Sequence, residues 1–106
     1  MQPGDEDLKA IRAAVLAAVV SRVGTHQPSE QTLSLEKFSL RADGAWELAV
    51  SYFEDPDWHA QYDERVWFTG HAVVACGPGT ARVVSGEITC TEGNYRGGVG
   101  KTSSLV

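Results

Sequence analysis

An apolar stripe with helical spacing lies near the N-terminus and constrains the fold of this chain more than any other feature. The large aliphatic residues of this segment recur at steps of three and four: Leu8, Ile11, Val15, Val19 and Val23. That spacing places them on one face of an α-helix. Lys9, Arg12 and Arg22 mark the solvent side. The sequence therefore predicts a helix over residues 5–23 that buries one face.

The ends of this helix carry separate signals. Gly4 or Asp5 can cap the N-terminus, Gly24 supplies a left-handed stop, and Pro28 prevents the helix from resuming. The acidic start at residues 5–7 differs from the basic start of an export signal. The apolar run that follows is well short of the ~20 residues needed to span a bilayer. We therefore expect a core helix in a cytoplasmic protein that has no membrane contact.

Beyond the helix the apolar period changes to alternation, which is typical of β-strands. Apolar residues alternate over Leu33–Leu40, but Glu36-Lys37 shifts the phase, so we expect a β-bulge there. Ala42-Asp43-Gly44 is typical of a hairpin loop with a left-handed Gly44. That register pairs Leu40 with Trp46. It also places the following residues on one face: Phe38, Leu40, Trp46, Leu48, Val50 and Tyr52.

Two further strands are predicted at about residues 65–76 and 81–91, joined by a tight turn over residues 77–80. Pairing about that turn places Cys76 near Ala81 and Cys90 near Trp67. The two thiols then lie at opposite ends of the hairpin and stay reduced.

The fold class that follows is α+β, with the N-terminal helix packed on a four-stranded antiparallel meander sheet. A length of 106 residues suits one domain, which we assign to residues 1–91. Residues 92–106 are rich in Gly and Ser and predict an irregular C-terminal tail. Consecutive apolar residues at 73–75 and 83–84 indicate that both sheet faces are partly covered. We therefore expect a homodimer through the second sheet face.

The glycine-rich segment Asn94–Thr102 resembles the variant phosphate loop of partitioning and division-site ATPases. Tyr95 stands in place of the first glycine of the general loop, and Arg96 replaces the signature lysine of the variant. A phosphate loop must also open a helix, and only four residues follow Thr102. We therefore expect a chance match and no cofactor. The formal net charge of −5 disfavours nucleic acid as a partner.

An acidic loop with aromatic residues separates the second and third predicted strands. Its candidate binding residues are Glu54, Asp55, Asp57, Trp58, His59, Tyr62, Asp63 and Glu64. Three interpretations remain open: a solvated loop, a metal site that includes the histidine, and a loop that binds a basic protein. Calcium is disfavoured because Ala60 stands where a calcium loop needs glycine. Of the functional interpretations we favour protein binding, in which aromatic residues anchor the partner and carboxylates steer it. We assign no metal.

The chain shows no catalytic constellation, since it has neither a glycine-flanked serine elbow nor an HExxH motif. His71 is one candidate for a general base, because it could project into a pocket between the sheet and the helix. Cys76 and Cys90 lie in apolar strands, where burial raises a thiol pKa and makes the thiol inert. We assign no catalytic residue.

The segment Trp46–Phe53, the Gly77-Pro78 turn and the segment Val83–Ile88 together resemble small bacterial immunity-type proteins, which are encoded beside polymorphic toxins. The likeness covers about residues 8–90, although the usual asparagine-rich turn before the proline is missing. The resemblance implies a non-enzymatic protein that binds a cognate protein. The acidity of the chain suits a basic toxin domain.

Two functional hypotheses follow. The first is a small non-enzymatic protein-binding module of immunity or adaptor type, whose partner is another, basic protein. The alternative is a small-molecule-binding or enzymatic α+β roll, similar to the ligand-binding family that includes steroid isomerases. A deep pocket lined by His71 and a carboxylate would favour the alternative.

Overall fold

The computed structural model describes residues 2–23, 33–54, 65–94 and 97–106. These residues form one helix followed by five strands: α1 (Asp5–Val23), β1 (Ser34–Leu40), β2 (Trp46–Glu54), β3 (Arg65–Gly77), β4 (Thr80–Asn94) and β5 (Gly97–Ser104). The strands form one antiparallel sheet in the order β1-β2-β3-β4-β5, and α1 packs mainly on β4 and β3. The α+β class and the predicted limits of the helix are confirmed.

The prediction of four strands is wrong, because a fifth strand forms where an irregular tail was expected. β5 pairs with β4 along its whole length, from Glu87 opposite Ser104 to Asn94 opposite Gly97. Leu105 follows directly, donates its backbone N–H to the carbonyl of Gly86 at 3.0 Å, and is only 4% exposed. The end of the chain therefore belongs to the sheet and to the hydrophobic core.

Three fully buried side chains hold α1 against the sheet: Ile11, Val15 and Val19. The carbonyl of Gly4 accepts the first helical hydrogen bond from Leu8 at 2.8 Å, so Gly4 is the N-cap residue. Two arginines of α1 donate hydrogen bonds to backbone carbonyl groups outside the helix. Arg12 Nη1 donates to the carbonyl of Leu33 at 2.9 Å, and Arg22 Nε donates to the carbonyl of Ser104 at 2.6 Å.

The β1–β2 hairpin forms as the sequence predicts. Gly44 has a φ of +88°, and Leu40 pairs with Trp46. Asp43 Oδ1 stabilises the turn by accepting a hydrogen bond from the backbone of Ala45 at 3.0 Å. The register shifts between Glu36 and Ser39, and the bulge contains Lys37, whose φ of 57° is left-handed. This bulge returns Phe38 to the side of Trp46, and the two rings meet edge to face with centroids 6.2 Å apart.

The β3–β4 hairpin departs from the predicted register by one residue over part of its length. Cys76 pairs with Ala81 as predicted, but Cys90 pairs with Phe68 rather than Trp67. The difference arises because the register shifts between Val73 and Val74, where β4 carries one extra residue. Cys76 and Cys90 still lie toward opposite ends of the hairpin and form no disulfide.

The core lies between α1 and the side of the sheet that faces it. Tyr52 and Phe68, directly opposite each other on β2 and β3, stack with ring centroids 5.1 Å apart. Gly86 has a φ of +142°, and a Cβ there would overlap the backbone oxygen of His71. The glycine at position 86 therefore permits β3 and β4 to approach closely at the point where the side chain of Leu105 packs.

We predict that Leu105→Ala lowers the free energy of unfolding by about 2–4 kcal/mol, because it leaves a cavity in the core. Val106→Ala is the matched control: Val106 is 63% exposed, so its loss should cost under about 0.5 kcal/mol. Urea denaturation followed by circular dichroism measures both changes. Equal stability of the two variants would contradict the placement of Leu105 in the core.

Candidate functional site

The predicted acidic loop joins two neighbouring strands of the sheet. Glu54 is the last residue of β2, and its backbone pairs with that of Val66 on β3. The other seven predicted binding residues lie outside the described residues: Asp55, Asp57, Trp58, His59, Tyr62, Asp63 and Glu64. Residues 55–64 thus connect the end of β2 to the start of β3, and these two strand ends lie side by side because β2 pairs with β3.

The same segment carries the whole formal net charge of the chain. Residues 54–64 contain five of the fourteen acidic residues and no lysine or arginine. The remaining nine acidic residues are matched by nine lysines and arginines elsewhere. The formal charge of the connection between β2 and β3 therefore equals the net charge of −5 of the whole chain.

His71 lies on the face of the sheet opposite α1, so it does not project into a pocket between the sheet and the helix, which the general-base alternative requires. Neighbouring strand residues point to opposite faces, and the flanking Ala72 is fully buried on the helix side. His71 itself is exposed and pairs with Glu87 on β4. It lines an open depression of about 400 Å³ whose rim includes Lys37 and Glu47. The depression is open to solvent rather than enclosed.

This second sheet face is mainly polar rather than apolar. Its central positions include Glu47, Ser51, Thr69, His71, Ser85, Glu87, Thr89 and Thr102. Val73 is buried at 6% exposure, whereas Val84, which has no partner in the β3–β4 register, is 37% exposed. Val84 is the extra residue of the β4 bulge and precedes Ser85, the residue that lies opposite Val73.

Among the described residues, Cys76 has a thiol whose pKa is clearly shifted from its ordinary value. Burial raises the pKa of the Cys76 thiol, and the negative charge of Asp7 raises that pKa further. Both effects favour the protonated thiol over the nucleophilic thiolate. The sequence-based expectation of an unreactive thiol is supported for this cysteine.

Residues 97–102 of the segment that resembles a phosphate loop lie in the extended strand β5, and Tyr95 and Arg96 lie outside the described residues. Lys101 pairs with Cys90, and the hydroxyl groups of Thr102 and Thr89 are hydrogen-bonded at 2.7 Å. A phosphate loop instead wraps its backbone N–H groups around the anion at the start of a helix. The conformation of Gly97–Ser104 therefore differs from the one that the motif requires.

The described ranges contain no group of three or more His, Cys, Asp or Glu side chains placed to hold a metal ion. In the same ranges, no helix has both the length and the apolar composition to cross a membrane.

Comparison with protein-family models, with curated proteins and with solved structures gave no match to this chain.

We predict that Cys76 is alkylated by iodoacetamide at pH 8 more slowly than an unstructured cysteine. Asp7→Asn removes a negative charge, lowers the thiol pKa and so accelerates the reaction at Cys76. Asp5→Asn, in the same helical turn, should leave the rate unchanged. Mass spectrometry separates labelling at Cys76 from labelling at Cys90, and equal acceleration by both variants would contradict the role of Asp7.

Proposed function

We propose that this protein is a small, non-enzymatic module that binds another protein through the acidic segment 54–64. The observation that carries the proposal is the confinement of the entire net charge of −5 to that segment. Charge concentrated in this way steers a basic surface toward one place on the molecule. The partner is therefore a protein with a basic surface.

The position of the segment in the sheet supports the same proposal. Binding residues commonly lie on loops that a rigid scaffold holds in place. Here the scaffold is the β2–β3 pair, which is hydrogen-bonded from Trp46 opposite Val74 to Glu54 opposite Val66. Trp58 and Tyr62 stand among the carboxylates in the sequence. Large aromatic side chains supply the anchor residues that many protein interfaces depend on.

An immunity or adaptor role accounts for these features together. A protein of this kind recognises its cognate protein and needs no reaction centre of its own. The alternative, a ligand-binding or enzymatic roll, needs an enclosed polar pocket, and the open outer face around His71 favours it less. We further propose that the protein acts in the cytoplasm, where its two cysteines stay reduced.

The proposal predicts that neutralising the segment removes binding while charge removal elsewhere does not. Tagged wild type and the double variant Asp57→Asn/Asp63→Asn should be compared in pull-downs from a lysate of the source cells. The matched control is Glu36→Gln/Glu87→Gln, which removes two exposed charges from the strands. Recovery of the partner should fall with the loop variant and with added salt, and should not fall with the control.

Trp58→Ala tests the aromatic anchor separately from the charge. Once the partner is recovered, the dissociation constant of its complex with this variant should be at least about tenfold higher than that of its complex with wild type. A change of this size is expected for a central aromatic residue. Titration calorimetry measures the change. Unchanged recovery and unchanged affinity for both loop variants would remove this segment as the binding surface.

A further inference from the structure

The two edge strands are attached to the rest of the sheet in different ways. β1 contributes side chains to the interior: Leu35 and Phe38 pack against the buried core, and Leu33, which precedes the strand, is 2% exposed. On β5, the residues at positions 100–104 are exposed, apart from the half-buried Ser103. Over these positions β5 is therefore held mainly by its backbone pairing with β4.

The side-chain contacts that attach β5 lie toward its C-terminal end. Leu105, which follows the strand, is 4% exposed and belongs to the core. Arg22 of α1 donates a hydrogen bond from Nε to the carbonyl of Ser104 at 2.6 Å. The hydroxyl groups of Thr89 and Thr102 are hydrogen-bonded to each other, but at an exposed position. Among these contacts, Leu105 makes the one that buries apolar surface.

The composition of β5 makes the strand costly to order. Gly97, Gly98 and Gly100 are three of its eight residues. Glycine loses more conformational freedom on folding than any other residue, and it weakens a strand because it has no side chain to pack. A segment that is costly to order and buries little apolar surface belongs to the least stable part of a fold.

We propose that residues 97–105 form a detachable strap, which opens from β4 as one unit while α1 and the strands β1–β4 stay folded. In the closed form, Leu105 fills its position in the core and β5 covers the edge of β4. In the open form, that position is vacant and the backbone groups of β4 that faced β5 are unpaired. The strap shares no residue with the proposed protein-binding segment 54–64, so either proposal can fail without the other.

The hydrogen-bonding pattern of β4 supplies an internal control for this opening. Leu105 donates its backbone N–H to the carbonyl of Gly86 at 3.0 Å, so these two residues form a hydrogen-bonded pair. Because such pairs alternate along an antiparallel ladder, Ile88 and Cys90 direct their amides toward β5, and Thr89 between them directs its amide toward β3. Opening of the strap therefore frees the amides of Ile88 and Cys90 and leaves that of Thr89 hydrogen-bonded.

Amide hydrogen exchange of the full chain under native conditions, followed by NMR at several low urea concentrations, tests the proposal. We expect the protection factors of Ile88 and Cys90 to be at least about tenfold lower than that of Thr89. Ser103 and Lys101 of β5 should share the opening free energy of Ile88 and Cys90. That free energy should depend less on urea than global unfolding does, because opening of the strap exposes less surface.

Two variants separate opening of the strap from global unfolding. Ile11→Val weakens core contacts that persist in the open form, since Ile11 lies about three helical turns from Arg22, which contacts the strap. This variant should speed exchange at Thr89 about two- to tenfold and leave the β5-facing amides of β4 unchanged. Leu105→Ala removes a contact that is lost in both kinds of opening, so it should speed exchange at both sets of amides by the same factor.

Three results would overturn the proposal. Equal protection of Ile88, Cys90 and Thr89 would show that β5 leaves the sheet only when the whole fold opens. Protection that rises steadily from Ser103 back to Val99 would show fraying of the chain end instead of opening as one unit. Equal acceleration of both sets of amides by Ile11→Val would show that both exchange through global unfolding.

Discussion

The contact between the apolar stripe of α1 and the sheet determines the rest of this structure. Ile11, Val15 and Val19 are completely buried, and each contributes about 1.5–3 kcal/mol relative to an exposed position. Within the sheet beneath them, Gly70 and Gly86 permit β3 and β4 to approach closely, because a Cβ at either position would collide with the backbone of the neighbouring strand. Because total stability is typically only 5–15 kcal/mol, three such side chains are enough to decide whether the fold forms.

This contact also decides where function can reside. With α1 on one side of the sheet, apolar side chains from β1, β2, β3 and β4 form the core with the helix, and Leu105 adds to that core. The surfaces that remain are the polar outer face, the two edges and the connections between strands. Among them, the segment between β2 and β3 stands out by its formal charge.

The sequence was most informative where side chains alternate in size or polarity. The limits of α1, the turn at Gly44 and the bulge at Lys37 could all be predicted, because each breaks or restores a clear apolar period. β5 could not, since its glycines have no side chains to alternate. The continuous apolar run around Val73 and Val74 concealed the register shift. For the candidate site, seven of the eight residues proposed from the sequence lie outside the described residues, and the structure adds the paired strand ends that flank them.

Replacing Val15 by Asp, with Ala17→Asp as its partner, tests the central helix–sheet contact most directly. The two positions lie within one helical turn, but Val15 is fully buried and Ala17 is exposed. We predict that Val15→Asp abolishes the cooperative urea transition, because an unpaired charge in the core costs several kcal/mol. Ala17→Asp should lower the free energy of unfolding by less than about 1 kcal/mol, the cost in helix propensity. A cooperative transition in Val15→Asp as stable as that of Ala17→Asp would contradict the account.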